Sequence, residues 1–474
     1  MPSNEAAAWL TENEDAGIER LMEWLRIPSI STDPAYRSEC RSAAEWAADH
    51  LRGSGFEADL INTGSADKPG HPIVLATAGP TNGTPHVLFY GHYDVQPPDP
   101  LELWDSPPFE PVRREAQGGV GERVVARGAV DDKGQVATFL EAMRALWETT
   151  GTAAGGARYT VVLEGEEESG STNLEDFLRR HESSLGKCDI CLISDTGMLG
   201  RGKPAITCGI RGIQYCEVRL HAADQDLHSG QWGGKVPNPL NELAKVLSGL
   251  WDSDQRVTIP GFYEGVPELS AEERSAWQNL GIDPAKSLKG IGLGPEADVG
   301  ERGYSFIERE WARPTCDING IYGGYTGEGA KTVIPAHATA KVSFRLVGDQ
   351  DPAKVRDAFF AWLEERRPPG CRWELKDLHG GPPALVSMDS PYLAMASAAL
   401  KVAGGDDAAM IRTGGSIPVA GLLKKILGLE TIFMGFGLED DRVHSPNEKF
   451  EIDCFRLGAR AHVEFAASVA DRAG

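Results

Sequence analysis

Short apolar runs that alternate with helical stretches are the feature that most limits how this chain can fold. Each run is closed by glycine or an acidic residue, and the runs lie at 73–78, 87–90, 159–163, 188–193 and 431–437. Helical stretches at 134–149 and 173–181 fall between the later runs. Runs of this length, alternating with helices, are typical of parallel strands covered by helices on both faces. The sequence therefore predicts an α/β domain with a mostly parallel sheet sandwiched by helices.

The pattern changes from about residue 206 onward. Apolar and polar residues now alternate along the strands, as they do where one face of a sheet meets solvent. The elements follow the order strand, helix, two strands, helix, strand, which is that of a ferredoxin-like α+β domain. They include strands at 215–220, 338–346 and near 372–375, and helices at 239–251 and 352–366.

This change divides the chain into two predicted domains. The first comprises residues 1–205 plus 386–474, and residues 206–385 form an inserted domain. Within the insert, residues 252–312 are rich in charge and turn formers and are interpreted as an elaborated loop. At the start of the chain, apolar residues at helical spacing predict one amphipathic helix over residues 4–26.

The charge balance excludes several classes of partner. The 474 residues carry 47 Lys plus Arg against 70 Asp plus Glu, a net charge of −23. Nucleic acids and anionic membranes bind clusters of cationic side chains, so we expect neither as a partner. The N-terminal residues lack the basic start and apolar core of a signal peptide, and eight scattered cysteines do not suggest a disulfide framework. We therefore expect a cytoplasmic protein.

Five segments place histidine or carboxylate side chains at or just past the carboxyl end of a predicted strand, where open α/β sheets bind ligands. They are GHYD at 91–94, GAVDDKG at 128–134, EGEEESG at 164–170, SD at 194–195 and VHS at 443–445. Seven carboxylates gathered at one edge would repel one another without cations. They are Asp94, Asp131, Asp132, Glu166, Glu167, Glu168 and Asp195. Histidine mixed with carboxylate favours zinc, manganese or cobalt over calcium.

These segments resemble the co-catalytic two-metal peptidases, a family that includes carnosinase-like dipeptidases, peptidase V, carboxypeptidase G, acetylornithine deacetylase and succinyl-diaminopimelate desuccinylase. The resemblance covers essentially the whole chain and is closest to the carnosinase-like branch. The segments GHYDVQP, RGxxDDKG, EGxEESGS, ISD and HSxNE of that branch are matched at 91–97, 127–134, 164–171, 193–195 and 444–448. The resemblance implies a homodimer with two divalent metal ions per subunit, in which the inserted domain serves as a dimerisation and lid domain.

The resemblance also implies a role for each residue of the metal site. It makes Asp131 the carboxylate that bridges both metal ions and the residue that precedes a cis peptide bond. The other implied ligands are Glu168 and His444 for one metal and His92 and Asp195 for the other. Asp94 is then the residue that hydrogen-bonds the His92 imidazole and fixes its tautomer.

The general base is one of three consecutive glutamates, residues 166–168. The motif of the family ends with two glutamates directly before Ser169-Gly170, which makes Glu167 the general base and Glu168 the metal ligand. Glu166 then replaces a neutral residue of the motif and has no catalytic role.

Further residues resemble positions that contact the substrate. His228 resembles a histidine that crosses from one subunit to stabilise the oxyanion in the active site of the partner. Arg345 resembles the arginine that binds the free carboxylate of the substrate, a pairing that suits a planar guanidinium. Other implied substrate contacts are Thr332, Arg412, Gly415 and Ser416.

The function implied by the resemblance is metal-dependent hydrolysis of the amide bond in dipeptides or short peptides with a free C-terminal carboxylate. The alternative is an N-acyl-amino-acid deacylase of the deacetylase or desuccinylase type, because metal ligands do not separate the two activities. The long segment 252–312 and the Asp131-Asp132 pair favour the peptidase, since many deacylases have methionine in the second position of that pair. A non-catalytic relative should have lost a ligand or the base, and this sequence retains all of them. Zinc is the expected metal, with manganese and cobalt as alternatives, because histidine and carboxylate ligands accept all three.

Overall fold

The structure, a computed structural model, describes residues 2–81, 83, 85–415 and 418–473. Its strands are β1 (Glu57–Ile61), β2 (Ile73–Ala78), β3 (His86–His92), β4 (Val112–Arg114), β5 (Arg123–Val125), β6 (Arg158–Glu164), β7 (Ile190–Ile193), β8 (Ala205–Ile210), β9 (Gly212–His221), β10 (Leu227–His228), β11 (Thr315–Gly323), β12 (Val333–Ile334), β13 (His337–Leu346), β14 (Arg372–Gly381), β15 (Ala384–Leu385), β16 (Ala409–Thr413), β17 (Thr431–Phe433) and β18 (Lys449–Glu451).

The α-helices separate and cover these strands. They are α1 (Pro2–Glu12), α2 (Glu14–Leu25), α3 (Arg37–Gly53), α4 (Lys133–Thr150), α5 (Leu174–Arg180), α6 (Glu182–Leu185), α7 (Ser229–Trp232), α8 (Pro239–Ser248), α9 (Ala271–Gln278), α10 (Pro284–Gly290), α11 (Phe306–Trp311), α12 (Pro352–Glu365), α13 (Pro391–Gly404), α14 (Pro418–Leu427) and α15 (Ile452–Ala470). Within the described ranges, none of the helices is long and apolar enough to cross a membrane.

The chain forms two compact units. Unit 1 comprises Met1–Cys208, Val386–Ile411 and Leu422–Gly474, and unit 2 comprises Gly209–Leu385 and Arg412–Gly421. The second segment of unit 2 differs from the predicted division, which assigned those residues to the first domain. Hydrogen bonds explain the difference, because Arg211 of unit 2 donates from its backbone N–H to the carbonyl of Gly415 and from Nε to the carbonyl of Gly414.

The large sheet of unit 1 has a parallel centre. Its strand order is β1-β2-β6-β3-β7-β17-β8, and the four strands β6, β3, β7 and β17 run parallel to their neighbours within that group. Every residue of β3, β7 and β17 is buried, as expected for strands covered by helices on both faces. The predicted fold class is confirmed, although β1, β2 and β8 pair antiparallel at the flanks.

The first helical stretch is divided, which corrects the prediction of one helix over residues 4–26. Helix α1 ends at Glu12 and α2 begins at Glu14. Between them, the Asn13 side chain donates to the carbonyl of Trp9 at 2.9 Å, and Asn13 has φ −113° and ψ 16°. The backbone N–H of Asn13 also donates to Trp9, so the interruption is confined to the non-helical φ of this one residue and the apolar periodicity continues across it.

Unit 2 contains the predicted ferredoxin-like arrangement. Its antiparallel sheet has the order β11-β13-β9-β14, with α8 between β9 and β11 and α12 between β13 and β14. Alternate residues of β9 are buried, so one face of the sheet packs on the core. That core includes Val218, Leu220, Leu243, Val342, Phe344 and Phe359.

The segment 252–312 is not one loop, which corrects the sequence interpretation. It contains helices α9, α10 and α11. Capping boxes begin α9 and α11, where Ser270 and Ser305 accept from the backbone N–H groups of Glu273 and Glu308 and those glutamate side chains accept in return. The S-x-x-E spacing of these boxes is readable in the sequence and predicts a helix start, so this signal was available.

Candidate metal centre

The carboxyl ends of three adjacent parallel strands in unit 1 bring the predicted residues together. Strand β3 ends at His92, β6 ends at Glu164 just before the 3₁₀ turn Glu167–Ser169, and β7 ends at Ile193, two residues before Asp195. Because β6, β3 and β7 are neighbours and parallel, these ends lie at one edge of the sheet. This is the edge at which open α/β sheets bind ligands.

Asp131 lies between two histidines that come from distant parts of the chain. Its Oδ1 is 3.2 Å from Nε2 of His92, and its Oδ2 is 2.9 Å from Nε2 of His444. Nε2 of His92 is also 3.8 Å from Oδ2 of Asp195, and Nε2 of His444 is 3.3 Å from Oε2 of Glu168. Each carboxylate oxygen of Asp131 therefore faces a different histidine, and each histidine faces a second carboxylate.

Two groups of side chains have the chemistry and spacing to hold metal ions. The ligand atoms of His92, Asp132 and Asp195 lie within 4.8 Å of one another, and so do those of Asp131, Glu168 and His444. Two buried oxygen atoms of these groups have no hydrogen-bond partner within the described part of the chain, namely Oδ1 of Asp132 and Oε1 of Glu168. Buried polar atoms are almost always hydrogen-bonded. The unpaired carboxylate oxygens are therefore available as ligands of divalent metal ions.

The excess of negative charge in the site also favours bound cations. Burial, followed by repulsion from Asp131, holds the pKa of the Asp195 carboxyl well above its usual range. Hydrogen bonds to Asp131 and Glu168 raise the pKa of His444 to about 10. The cluster therefore attracts positive charge, first as protons on its own groups. Divalent cations satisfy that excess negative charge while leaving the carboxylates ionised.

Asp94 lies beside the His92 ring and also contacts the turn that carries two of the glutamates. Nδ1 of His92 is 3.1 Å from the backbone carbonyl oxygen of Asp94 and 3.4 Å from its carboxylate Oδ1, so both oxygens lie on the Nδ1 side of the ring. The Asp94 carboxylate also accepts from the backbone N–H groups of Glu167 and Glu168, at 3.3 and 3.1 Å. Asp94 therefore orients the His92 ring and also holds the turn that carries both glutamates.

Glu167 and Glu166 have different surroundings, although they are adjacent. Burial, then repulsion from Glu168, Asp94 and Asp131, raises the pKa of Glu167 to about 7, against attraction from His92. The Glu166 carboxylate instead accepts from the backbone N–H of His71 at 2.9 Å and from Nδ2 of Asn173 at 2.8 Å. Glu166 therefore links the segments that carry His71 and Asn173. The pKa of Glu167, in contrast, is affected by the charged groups of the metal cluster.

Unit 2 carries His228 on a small two-stranded sheet, and Thr332 lies directly before the second strand of that sheet. Strands β10 and β12 pair so that His228 lies opposite Val333, and the backbone N–H of Ser229 donates to the carbonyl of Thr332 at 3.1 Å. Nδ1 of His228 accepts from the backbone N–H of Gly230 at 3.0 Å. A neutral imidazole that accepts at Nδ1 carries its proton on Nε2. The side chains of His228 and Thr332 are exposed. In this tautomer, Nε2 of His228 can donate a hydrogen bond.

Unit 2 also carries the remaining predicted residues that the structure describes. Arg345 is half-buried on β13, and its charge contributes, after burial, to lowering the pKa of Arg211. Arg412 forms a salt bridge with Glu273 at 2.6 Å. Gly415 is exposed and donates to Thr413 Oγ1 at 3.3 Å. Ser416 lies outside the described residues.

Two acidic residues of the site were given no individual role in the sequence analysis. Asp132 is completely buried, and the peptide bond that joins it to Asp131 is cis, as the resemblance implied. Its Oδ2 accepts from the backbone N–H of His92 at 3.2 Å. Glu448, also completely buried, accepts from the N–H of Asp131. Both residues stand inside the matched motifs, so their position was visible although their contacts were not.

Comparisons with known proteins identify the family of the chain. Residues 88–468 match the family described as Peptidase family M20/M25/M40. The Cys-Gly metallodipeptidase DUG1 of Saccharomyces cerevisiae is 32% identical over 463 residues, which cover 93% of this chain and 92% of that protein. The Beta-Ala-His dipeptidase of Rattus norvegicus is 31% identical over 465 residues, which cover 96% of this chain and 92% of that protein. The crystal structure of an M20 family metallo-carboxypeptidase from Sulfolobus solfataricus has a TM-score of 0.80 at 31% identity, covering 96% of this chain and 99% of that chain. The suspected family is thereby confirmed, and the chain belongs to Peptidase family M20/M25/M40.

Proposed function

We propose that this protein hydrolyses the amide bond of dipeptides or short peptides that end in a free carboxylate, with two divalent metal ions in the site of unit 1. The observation that carries the proposal is Asp131, whose two carboxylate oxygens face His92 and His444 separately. The names of the relatives support the substrate class, because two are metallodipeptidases or dipeptidases and one is a metallo-carboxypeptidase. We propose zinc as the metal, with manganese and cobalt as the alternatives that the same ligands accept.

The residues that would hold the metal ions are those predicted from the sequence. We propose Asp131 as the shared ligand, with Glu168 and His444 on one side and His92 and Asp195 on the other. A metal pair of this kind acidifies a bound water and polarises the scissile carbonyl. The Glu167 carboxylate takes a proton from the attacking water as the C–O bond forms, and it gives that proton to the nitrogen of the leaving amino group when the C–N bond subsequently breaks.

Unit 2 would supply the groups that recognise the rest of the substrate. We propose that Nε2 of His228 donates to the oxyanion, since the bond at Nδ1 leaves the proton on Nε2. Arg345 would bind the carboxylate of the substrate through its planar guanidinium. The other proposed substrate contacts are Thr332, Arg412, Gly415 and Ser416. For Arg412, this role requires that the guanidinium contact the substrate while Glu273 holds it.

We also propose a homodimer formed through the inserted domain. Strand β11 is at the edge of the unit 2 sheet, where it pairs with β13, and it exposes 37% of Ile318, 50% of Ile321 and 44% of Tyr322. Exposed apolar edge strands are templates for pairing with another chain. Unit 1 would then be the catalytic domain, and unit 2 the dimerisation and lid domain. All eight cysteines are buried, and their scattered positions in the sequence do not suggest a disulfide framework, so we propose a cytoplasmic location.

A substrate panel tests the proposed activity. Protein loaded with zinc, manganese or cobalt should hold about two metal ions per chain and cleave dipeptides, and a chelator should stop cleavage. N-acyl amino acids should be poor substrates in the same assay. Turnover of N-acyl amino acids alone would assign the enzyme to the deacylases. Failure to bind any of the three metals would reject the proposed site.

Subunit mixing tests the proposed action of His228 across a dimer. His228→Ala should lower kcat by ~10²–10³-fold, because the oxyanion loses a donor, and Glu167→Gln should also be nearly inactive. When the two variants are dissociated, mixed and reassociated, mixed dimers pair an intact metal site with an intact His228. Activity should return to about one quarter of the wild-type value, because half of the dimers are mixed and each has one complete site. No recovery in verified mixed dimers, or a fully active monomer, would contradict the role across the interface.

A further inference from the structure

Glu448 is a buried residue whose carboxylate contacts the turn that ends in Asp131. It is completely buried and lies four residues after His444. Its Oε1 accepts from the backbone N–H groups of Val130 and Asp131, at 3.0 and 3.1 Å. Its Oε2 accepts from the backbone N–H of Gly128 at 3.0 Å. One carboxylate therefore binds three amides of the turn that ends in Asp131.

The charge of Glu448 is balanced by a second buried residue. Nη1 of Arg127 donates to Oε2 of Glu448 at 2.6 Å, and Arg127 is 1% exposed. Nη2 of Arg127 donates to the carbonyl of Pro97, and its guanidinium lies 5.5 Å from the ring centroid of Trp104. Arg127 is therefore fixed on several sides. Removing one partner of a buried ion pair leaves an uncompensated charge, so the two residues form one unit.

The backbone around Glu448 connects two of the five motifs. The N–H of Ala126 donates to the carbonyl of Glu448 at 3.1 Å, just where β18 pairs with β5. The side chain of the preceding residue, Asn447, accepts from the backbone N–H of Asp105 and donates to the carbonyl of Leu103. The segment that carries His444 is thus held against the segment that carries Asp131 at the point where Glu448 inserts.

We propose that Glu448 is a positioning residue that sets the place of Asp131 relative to His444, and thereby the affinity of the site for metal. This inference rests on the proposed function, because it concerns the same pair of metal ions. Glu448 does not touch substrate in this proposal. It acts through the turn at 128–131, whose three amides all point at its carboxylate.

An amide cannot replace this carboxylate. A carboxylate accepts at both oxygens, whereas glutamine accepts at one atom and donates at the other. In Glu448→Gln, the NH₂ group would face either the two amides of Val130 and Asp131 or the amide of Gly128 together with Arg127. Donor would then meet donor at one end of the side chain. The turn must shift, and Asp131 moves with it.

Metal titration of the metal-free protein tests the proposal without relying on turnover. Glu448→Gln should bind zinc ~10–100-fold more weakly than the wild type by calorimetry, the usual effect of losing a group that orients ligands. The matched control is Glu141→Gln, because Glu141 is also buried and ion-paired in unit 1, with Arg20, but contacts none of the metal-binding segments. Thermal unfolding of each metal-free protein is measured in parallel. The control should lose stability and keep wild-type metal affinity.

Each outcome of the titration distinguishes the inference from the proposed function. Wild-type protein that binds no metal rejects the proposed function itself. Wild-type affinity in Glu448→Gln, or an equal loss in Glu141→Gln, overturns the positioning role while the proposed function stands. If Glu448→Gln does not fold, Arg127→Lys replaces it, since lysine keeps the charge but not the planar donor geometry. We expect weaker zinc binding in that variant as well, and unchanged binding would likewise overturn the inference.

Discussion

Asp131→Ala should lose both metal ions and nearly all turnover. The structure gives the reason, since one carboxylate faces His92 with Oδ1 and His444 with Oδ2. Under the proposed shared-ligand role, removing it takes one oxygen ligand from each of the two metal positions. We expect kcat/KM for a dipeptide to fall by more than ~10⁴-fold, which exceeds the contribution of a general base alone. Elemental analysis of the dialysed variant should find less than one metal ion per chain.

The comparison variant for this experiment is Asp195→Ala. Asp195 lies near His92, whereas His444 lies near Asp131 and Glu168. We therefore expect Asp195→Ala to weaken one metal site and to keep about one metal ion per chain. Unchanged far-ultraviolet circular dichroism would show that both variants are folded. Two tightly bound metal ions in folded Asp131→Ala would reject Asp131 as the shared ligand.

The position of the carboxylate and histidine cluster at one edge of the sheet was predictable from the pattern of strands and helices. Short apolar runs predicted parallel strands, parallel strands bring their carboxyl ends to one edge, and the residues after those ends are His92, Asp94 and Asp195. The family motifs added the pairing of Asp131 with His444, which stand more than 300 positions apart in the sequence. Spacing alone could not have paired them, because β18 approaches β5 through tertiary structure.

Other features depend on contacts that a linear pattern does not encode. Asn13 divides a periodic apolar stretch through its own non-helical backbone conformation, and its side chain donates to the carbonyl of Trp9. Arg412 groups with unit 2, where it pairs with Glu273, which lies 139 residues earlier. Glu448 is the last letter of a matched motif, yet only the structure shows three backbone amides at its carboxylate. In each case, the residue type was visible and its partner was not.

The three consecutive glutamates show how structure adds to a motif. The sequence offered residues 166–168 and chose between them by the ending of the motif. The structure separates them by their partners, since Glu166 accepts from His71 and Asn173 while Glu168 lies 3.3 Å from His444. Glu167 is left facing the charges of the cluster without being one of its six candidate ligands. This arrangement supports the proposed division between a structural residue, a base and a ligand.

Glu167→Gln should keep both metal ions and lose most of its turnover. Glutamine preserves the size of the side chain but cannot accept the proton of the attacking water, so kcat should fall by ~10²–10⁴-fold. KM should change little, because the proposed contacts with substrate come from other residues. The measurement is a steady-state assay on dipeptides, with the metal content of the same sample determined by elemental analysis.

Glu166→Gln is the matched control for this change, because it alters the neighbouring carboxylate by the same atoms. Glu166 binds the backbone N–H of His71 and the side chain of Asn173, away from the ligand atoms of the metal cluster. Its loss should lower the unfolding temperature while the folded enzyme keeps kcat within about threefold, as expected for a contribution to stability rather than to the transition state. Near-normal kcat in Glu167→Gln would reject Glu167 as the base. A collapse of kcat in Glu166→Gln with normal Glu167→Gln activity would move that role to Glu166 and show that the motif had been aligned one residue too late.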